Sequence, residues 1–242
     1  MTVLSVNVNK LALLRNSRGR NYPDLLKFIR KILALGVKGI TVHPRQDERH
    51  VTRQDVVQIT ELLKDYLDVE FNIEGYPSPE FLELVERVRP AQCTLVPDAP
   101  DQLTSDHGWD VLNTADVLTP VLQRLKELGV RSSLFLDPDP TLLDAVVALG
   151  ADRIELYTEA YANAFGTAEQ EPVWNAYRAT AERAQSLNIG VNAGHDLDLE
   201  NLQRFVEIAG IAEVSIGHAL IVESLEQGME AVIRQYLAIT DV

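Results

Sequence analysis

Eight short runs rich in Val, Ile, Leu and Thr recur along the whole chain, and this repetition limits the available folds more than any other feature. They cover residues 4–8, 39–43, 69–74, 92–96, 132–136, 153–157, 190–193 and 213–217. Each has the length and β-branched content of a strand. Between them lie segments of helical period that begin with capping residues: Thr52 with Asp55, Ser78 before Pro79, Asp139 before Pro140, Thr167 with Gln170, and Asp198. Three helices end alike, at Leu35-Gly36, Leu128-Gly129 and Leu149-Gly150, where glycine supplies the left-handed C-terminal residue shortly before the next strand.

Strand and helix alternating eight times in 242 residues predicts a single (β/α)8 TIM barrel with extra helices, spanning residues 1–242 as one domain. The near-continuous apolar strands suit a parallel sheet covered on both faces. A doubly wound open sheet is the alternative, but its Gly-rich turn is missing: the first run leads into Asn7-Val8-Asn9-Lys10. No Pro/Gly/Ser-rich linker divides the chain. The long irregular stretch 97–113 follows the fourth run, and loops of that length commonly serve as lids.

Composition narrows the function. With 46% hydrophobic and 24% charged residues, disorder and collagen-like repeats are excluded. A chain of this size buries roughly 70–75% of its unfolded surface and needs no disulfide or structural metal. The lone Cys93 agrees. No basic-plus-apolar leader follows Met1 and no stretch reaches about 18 apolar residues, so a reducing cytoplasm is the expected location. A net charge of −14 argues against nucleic acid and anionic membranes as partners. Yet residues 1–53 carry eleven Lys and Arg against three Asp and Glu, a balance of +8, leaving −22 for the rest. That asymmetry fits a basic site for an anionic ligand, a basic face docking on a neighbouring subunit, or scattered solvated charge.

A barrel carries its chemistry at the C-terminal ends of its strands. The expected strand ends deliver Asn7, Asn9 and Lys10 from the first, His43, Arg45 and His50 from the second, and Glu74 from the third. Glu155 follows from the sixth, Asn192 and His195 from the seventh, and Gly217 and His218 from the eighth. Four of the five histidines thus fall at one rim. A single rim histidine is more often structural than catalytic; four of them with Glu74 favour proton transfer. Metal binding is the weaker reading, since His43 and His50 lack a common ligand spacing and no H-x-H or H-E-x-x-H occurs. The last strand runs through Gly217-His218 into a helix whose first backbone N–H groups face the rim, an anion site in many barrels. With Arg18, Arg45 and the basic N-terminal segment, this favours a phosphorylated small molecule as substrate.

The segments VNVNKLALLRNSRG (6–19), GITVHPRQDERH (39–50), NIE (72–74), CTLVPD (93–98), IELYTEAYA (154–162), VNAGHDL (191–197) and IGHALI (216–221) together resemble the pyridoxine 5'-phosphate synthase family, in order and over nearly the whole chain. The resemblance implies condensation of 3-amino-2-oxopropyl phosphate with 1-deoxy-D-xylulose 5-phosphate, releasing phosphate and water, with no metal or organic cofactor. It implies His43 and Glu74 as acid/base residues, His195 as a proton donor, and Glu155 as a transition-state stabiliser. Asn7, Arg18, Gly217 and His218 correspond to contacts for the aminoketone phosphate; Arg45, His50 and Thr104 to contacts for the deoxyxylulose phosphate. The family is octameric, built from dimers, with an arginine reaching a neighbour's site; Arg18 is the candidate here.

Four positions depart from the family pattern. Asn9-Lys10 stands where many members have Asp-His, so retained activity with altered affinity is expected, with Lys10 still able to hydrogen-bond a sugar phosphate. Asp196 follows His195 where a glycine is usual and would border the phosphate. Glu159 likewise replaces a glycine after IELYT. Two other readings remain at this level. Lys10 as a Schiff-base nucleophile would make the chain an aldolase or lyase on a phosphorylated ketose. A non-catalytic paralogue would bind a phosphorylated metabolite without turnover.

Overall fold

The eight runs become eight parallel strands: β1 (Val3–Asn7), β2 (Gly39–Val42), β3 (Glu70–Gly75), β4 (Gln92–Leu95), β5 (Arg131–Leu136), β6 (Arg153–Tyr157), β7 (Gly190–Gly194) and β8 (Ile211–Ile216). In this computed structural model, which describes residues 2–98 and 105–241, each strand pairs with the next and β8 returns to β1, closing a barrel. Expected and observed strand ends agree within two residues, because β-branched runs flanked by Gly and caps mark them locally.

The surrounding helices are α1 (Asn9–Asn16), α2 (Leu25–Ala34), α3 (Arg53–Leu63), α4 (Pro79–Val88), α5 (Ala115–Leu128), α6 (Leu143–Leu149), α7 (Glu159–Ala164), α8 (Gln170–Ser186), α9 (Leu202–Phe205), α10 (His218–Gln227) and α11 (Met229–Thr240). Thr52 and Asp55 form a reciprocal capping box on α3, and Ser78 accepts from Phe81 N–H at the start of α4. Asp139 caps the short 3₁₀ turn Pro140–Leu142. Thr167 does not cap α8: its hydroxyl accepts from Glu169 N–H one turn early, while the Gln170 side chain turns back to Gly166 N–H. Gly129 and Gly150 close α5 and α6 in the left-handed conformation.

Alternate strand residues face opposite ways, and the barrel separates them by polarity. Leu4, Val6, Ile40, Val42, Ile73, Leu95, Ile154 and Leu156 join the apolar layer shared with the helices. The inner side is unexpectedly polar. Thr94 Oγ1 lies 3.3 Å from Glu155 Oε2 and 3.0 Å from Asn72 Oδ1, Asn72 Nδ2 donates to Thr41 Oγ1 at 3.4 Å, and Thr41 meets Ser5 at 2.7 Å. Nearer the N-terminal end, Asn192 donates to Gln92 Oε1 at 3.2 Å across the barrel and accepts from Arg153 at 2.8 Å. Asn192 is therefore not a rim residue, and Glu155 lies at mid-strand below the mouth. The expected placement of both at the rim is corrected, because strand ends read from sequence do not show at which depth an inward side chain sits.

Stretch 97–113 is partly seated on the barrel. Trp109 is buried; its ring N–H donates to Leu95 O at 2.9 Å and its backbone N–H to Phe135 O at 2.9 Å. Gly108 packs directly on the backbone at Leu136 and Asp137. Thr104 lies outside the described residues.

Candidate active site

The mouth is built from the strand-end residues and the turns after them. Asn7 ends β1, and its Oδ1 accepts from Asn9 N–H at 3.1 Å. Asn9 Oδ1 in turn accepts from the backbone N–H of His43 at 3.0 Å, which ties the first two strand ends together. An amide oxygen performs this acceptor task as a carboxylate would, so asparagine fits position 9. Lys10 is half-buried in the first turn of α1.

His43 and Glu74 form the centre. The Nδ1 of His43 lies 3.8 Å from Glu74 Oε2, and both side chains are nearly enclosed, at 8% and 12% exposure. Burial, with Arg45, His50 and Arg49 nearby, lowers the His43 pKa well below the usual imidazole range. Burial raises Glu74 well above the usual carboxyl range, reinforced by Glu155, Asp98 and Glu213. The same burial thus displaces the imidazole towards its neutral form and the carboxyl group towards its protonated form. Glu155 is pushed up to about 8 by burial and by Glu213, offset by the Thr94 hydroxyl. Gly194 makes room for it: a Cβ there would collide with Glu155 Oε1.

His50 is buried behind His43, with ring centroids 6.4 Å apart, and its Nδ1 accepts from Val51 N–H at 3.0 Å. Burial, then Arg45 and Arg49, pushes its pKa down to about 4. Arg45 Nη2 donates to Asp98 Oδ2 at 2.6 Å, and Ser105 donates to the same oxygen at 2.8 Å. Arg45 and Asp98 are both buried, so this is a desolvated ion pair at the edge of the mouth. The sequence reading missed Asp98 as the partner of Arg45; its place just after β4 was the available clue.

On the opposite side, Val96, Phe135 and Tyr157 make a small apolar cluster separate from the main core. The Tyr157 ring meets His195 edge-on at 5.1 Å, and His195 Nδ1 lies 2.8 Å from Asp196 Oδ2. Gly217 precedes α10 with Asn7 packed against it, and no side chain caps that helix, so its first N–H groups are left for another acceptor. His218 is the first residue of α10 and is exposed. Arg18 is exposed on the turn after α1. Among the described residues, no group of three His, Cys, Asp or Glu side chains could hold a metal ion.

The sequence model of the family described as "Pyridoxal phosphate biosynthesis protein PdxJ" matches residues 4–242. The chain belongs to the PdxJ family. The PdxJ relatives include a pyridoxine 5'-phosphate synthase of Leptospira biflexa, 47% identical over 99% of this chain and 97% of its own length. Another, from Bacteroides fragilis, is 50% identical over 98% of both chains. Among solved structures, a 4-hydroxy-2-oxoglutarate aldolase/2-deydro-3-deoxyphosphogluconate aldolase superposes with a TM-score of 0.63 at 17% identity, covering 98% of this chain and 94% of that one. That likeness concerns the barrel fold alone. No helix among the described residues of this PdxJ protein is long and apolar enough to cross a membrane.

Proposed function

We propose that the barrel mouth condenses 3-amino-2-oxopropyl phosphate with 1-deoxy-D-xylulose 5-phosphate, forming pyridoxine 5'-phosphate and releasing phosphate and water. The chain is an enzyme of the PdxJ family, and relatives matching 98–99% of its length carry the synthase name. The observation that carries the mechanism is the buried His43–Glu74 pair, whose Nδ1 and Oε2 lie 3.8 Å apart.

Imine formation, dehydration, phosphate elimination and ring closure each move a proton near neutral pH. His43 is a base with its lone pair available, and Glu74 an acid with its proton retained, in one water-poor pocket. Glu155, just beneath and also protonated at neutral pH, donates a hydrogen bond to negative charge developing above it. His195 supplies a further proton from the opposite wall.

Two anion sites frame this centre. The open N-terminus of α10, with Asn7, Gly217 and His218, takes the phosphate of the aminoketone. Arg45, His50 and Thr104, with Lys10 nearby, take the deoxyxylulose phosphate, which competes with Asp98 for the Arg45 guanidinium. Asp196 and Asn9 border these sites. Arg18 reaches a neighbouring subunit's site in a cytoplasmic homo-octamer built from dimers. Its exposure, and the exposed apolar residues Leu13 and Leu14 on α1 beside Val222 and Leu225 on α10, support an interface there.

The test is an assay of purified protein with both phosphorylated substrates, following pyridoxine 5'-phosphate by fluorescence together with released phosphate. Equal amounts of both products are expected. Substrate binding without either product would instead support the non-catalytic reading.

A further inference from the structure

His195 and Asp196 both occupy the left-handed backbone region, with φ of +86° and +58°. Two successive non-glycine residues there are uncommon, and aspartate is among the few side chains that accept it. The turn is held from several directions. The Thr158 hydroxyl lies against the carbonyls of Gly194, at 2.7 Å, and His195. Asn201 Nδ2 donates to Asp196 O at 3.1 Å, and Tyr161 in turn fixes Asn201 through a 2.7 Å bond to its carbonyl. Backbone strain this well supported marks a position whose side chains are being aimed.

The aim is visible in the contacts. Asp196 Oδ2 lies 2.8 Å from His195 Nδ1, and the His195 bond holds the Asp196 carboxyl below the usual carboxylate range. An ionised carboxylate only accepts, so the proton between them belongs to Nδ1. The imidazole also meets the Tyr157 ring edge-on, and the Tyr157 hydroxyl donates to Glu159. Of the two acidic departures from the family pattern, Asp196 thus touches the histidine directly and Glu159 reaches it through Tyr157.

We infer that Asp196 is a positioning residue for His195: its carboxylate binds the Nδ1–H and confines proton exchange with substrate to Nε2, while Tyr157, tethered by Glu159, sets the plane of the ring. This rests on reading His195 as a proton donor in the synthase reaction. Among the described residues, those against or beside the ring include Asp196 on its own turn, Tyr157 on β6 and Glu159 on α7. His218 on α10 acts on Asp196, and Asp106 ahead of α5 acts on Tyr157.

The test uses the full chain labelled with ¹⁵N-histidine, with His195 signals assigned by their loss in His195→Gln. Wild type is expected to show the Nδ1–H tautomer when neutral. Asp196→Asn keeps an acceptor without the charge, so the Nδ1–H tautomer is expected to persist. Asp196→Gly, suited to the positive φ, removes the acceptor and shifts the tautomer towards Nε2–H. In steady-state assays, Asp196→Gly is expected to lower kcat about tenfold with KM little changed, while Asp196→Asn retains most of the activity. An Nε2–H tautomer in wild type, a tautomer unchanged in Asp196→Gly, or an effect confined to KM would overturn the inference. Wild-type protein that makes no product refutes the synthase reading, and the NMR result then decides the pair independently.

Discussion

His43 Nδ1 and Glu74 Oε2 meet at 3.8 Å from the ends of two adjacent strands at the barrel mouth, one displaced towards the neutral base and the other towards the neutral acid by the same burial. Removing either partner's proton-transfer ability should stop ring closure while sparing the fold. Glu74→Gln and His43→Asn are each expected to lower kcat by about 10²–10⁴-fold, with circular dichroism unchanged. Near-normal turnover in a folded variant would remove that residue from the mechanism.

The Arg45–Asp98 pair separates binding from stability. Arg45→Ala should raise KM for the deoxyxylulose phosphate, and it strands a buried carboxylate at a cost of about 3–5 kcal/mol. The double variant Arg45→Ala with Asp98→Ala is expected to recover much of that stability in urea denaturation but none of the lost affinity. A fall in kcat at constant KM would contradict an anion-binding role for Arg45.

Glu155 gives a stability signature in pH. Its folded-state pKa of about 8 lies above the ordinary carboxyl value of 4.5, so between these the folded protein holds a proton that the unfolded chain has released. The stabilising effect is complete below the unfolded value and is lost as pH rises through the folded one. Urea denaturation between about pH 5 and about pH 8 should show a decline of roughly 3 kcal/mol from this group. Glu155→Gln should flatten that decline; an unchanged slope would mean the carboxyl is not held protonated.

Gly194→Ala tests whether the space beside Glu155 matters. A methyl group there must displace Glu155 Oε1 inside a closed barrel. A destabilisation of about 1–3 kcal/mol and a marked fall in kcat are expected. Wild-type kinetics would show that Glu155 moves aside without consequence.

Lys10 discriminates acid/base from Schiff-base chemistry. Borohydride treatment with either substrate is expected to leave Lys10 unmodified by mass spectrometry. A reduced adduct at that residue would assign the chain to the aldolase or lyase reading.

The sequence alone determined the strand and helix order, the capping box at Thr52 and Asp55, and the Gly217-His218 start of α10. These depend on alternation, helical period and turn chemistry within a few residues of one another. The strands read as near-continuous apolar runs, so the hydrogen-bonding groups that line the barrel interior, Asn72 with Thr94 and Gln92 with Asn192, were not legible in them. Only the tertiary structure decided which of these groups meet. Closure of the barrel brings Thr94 to Glu155 across 61 residues, Arg45 to Asp98 across 53 and Asn192 to Gln92 across 100. It also removes the water that would otherwise keep Glu74 and Glu155 ionised, and desolvation is a property of the assembled barrel that no local run of residues contains.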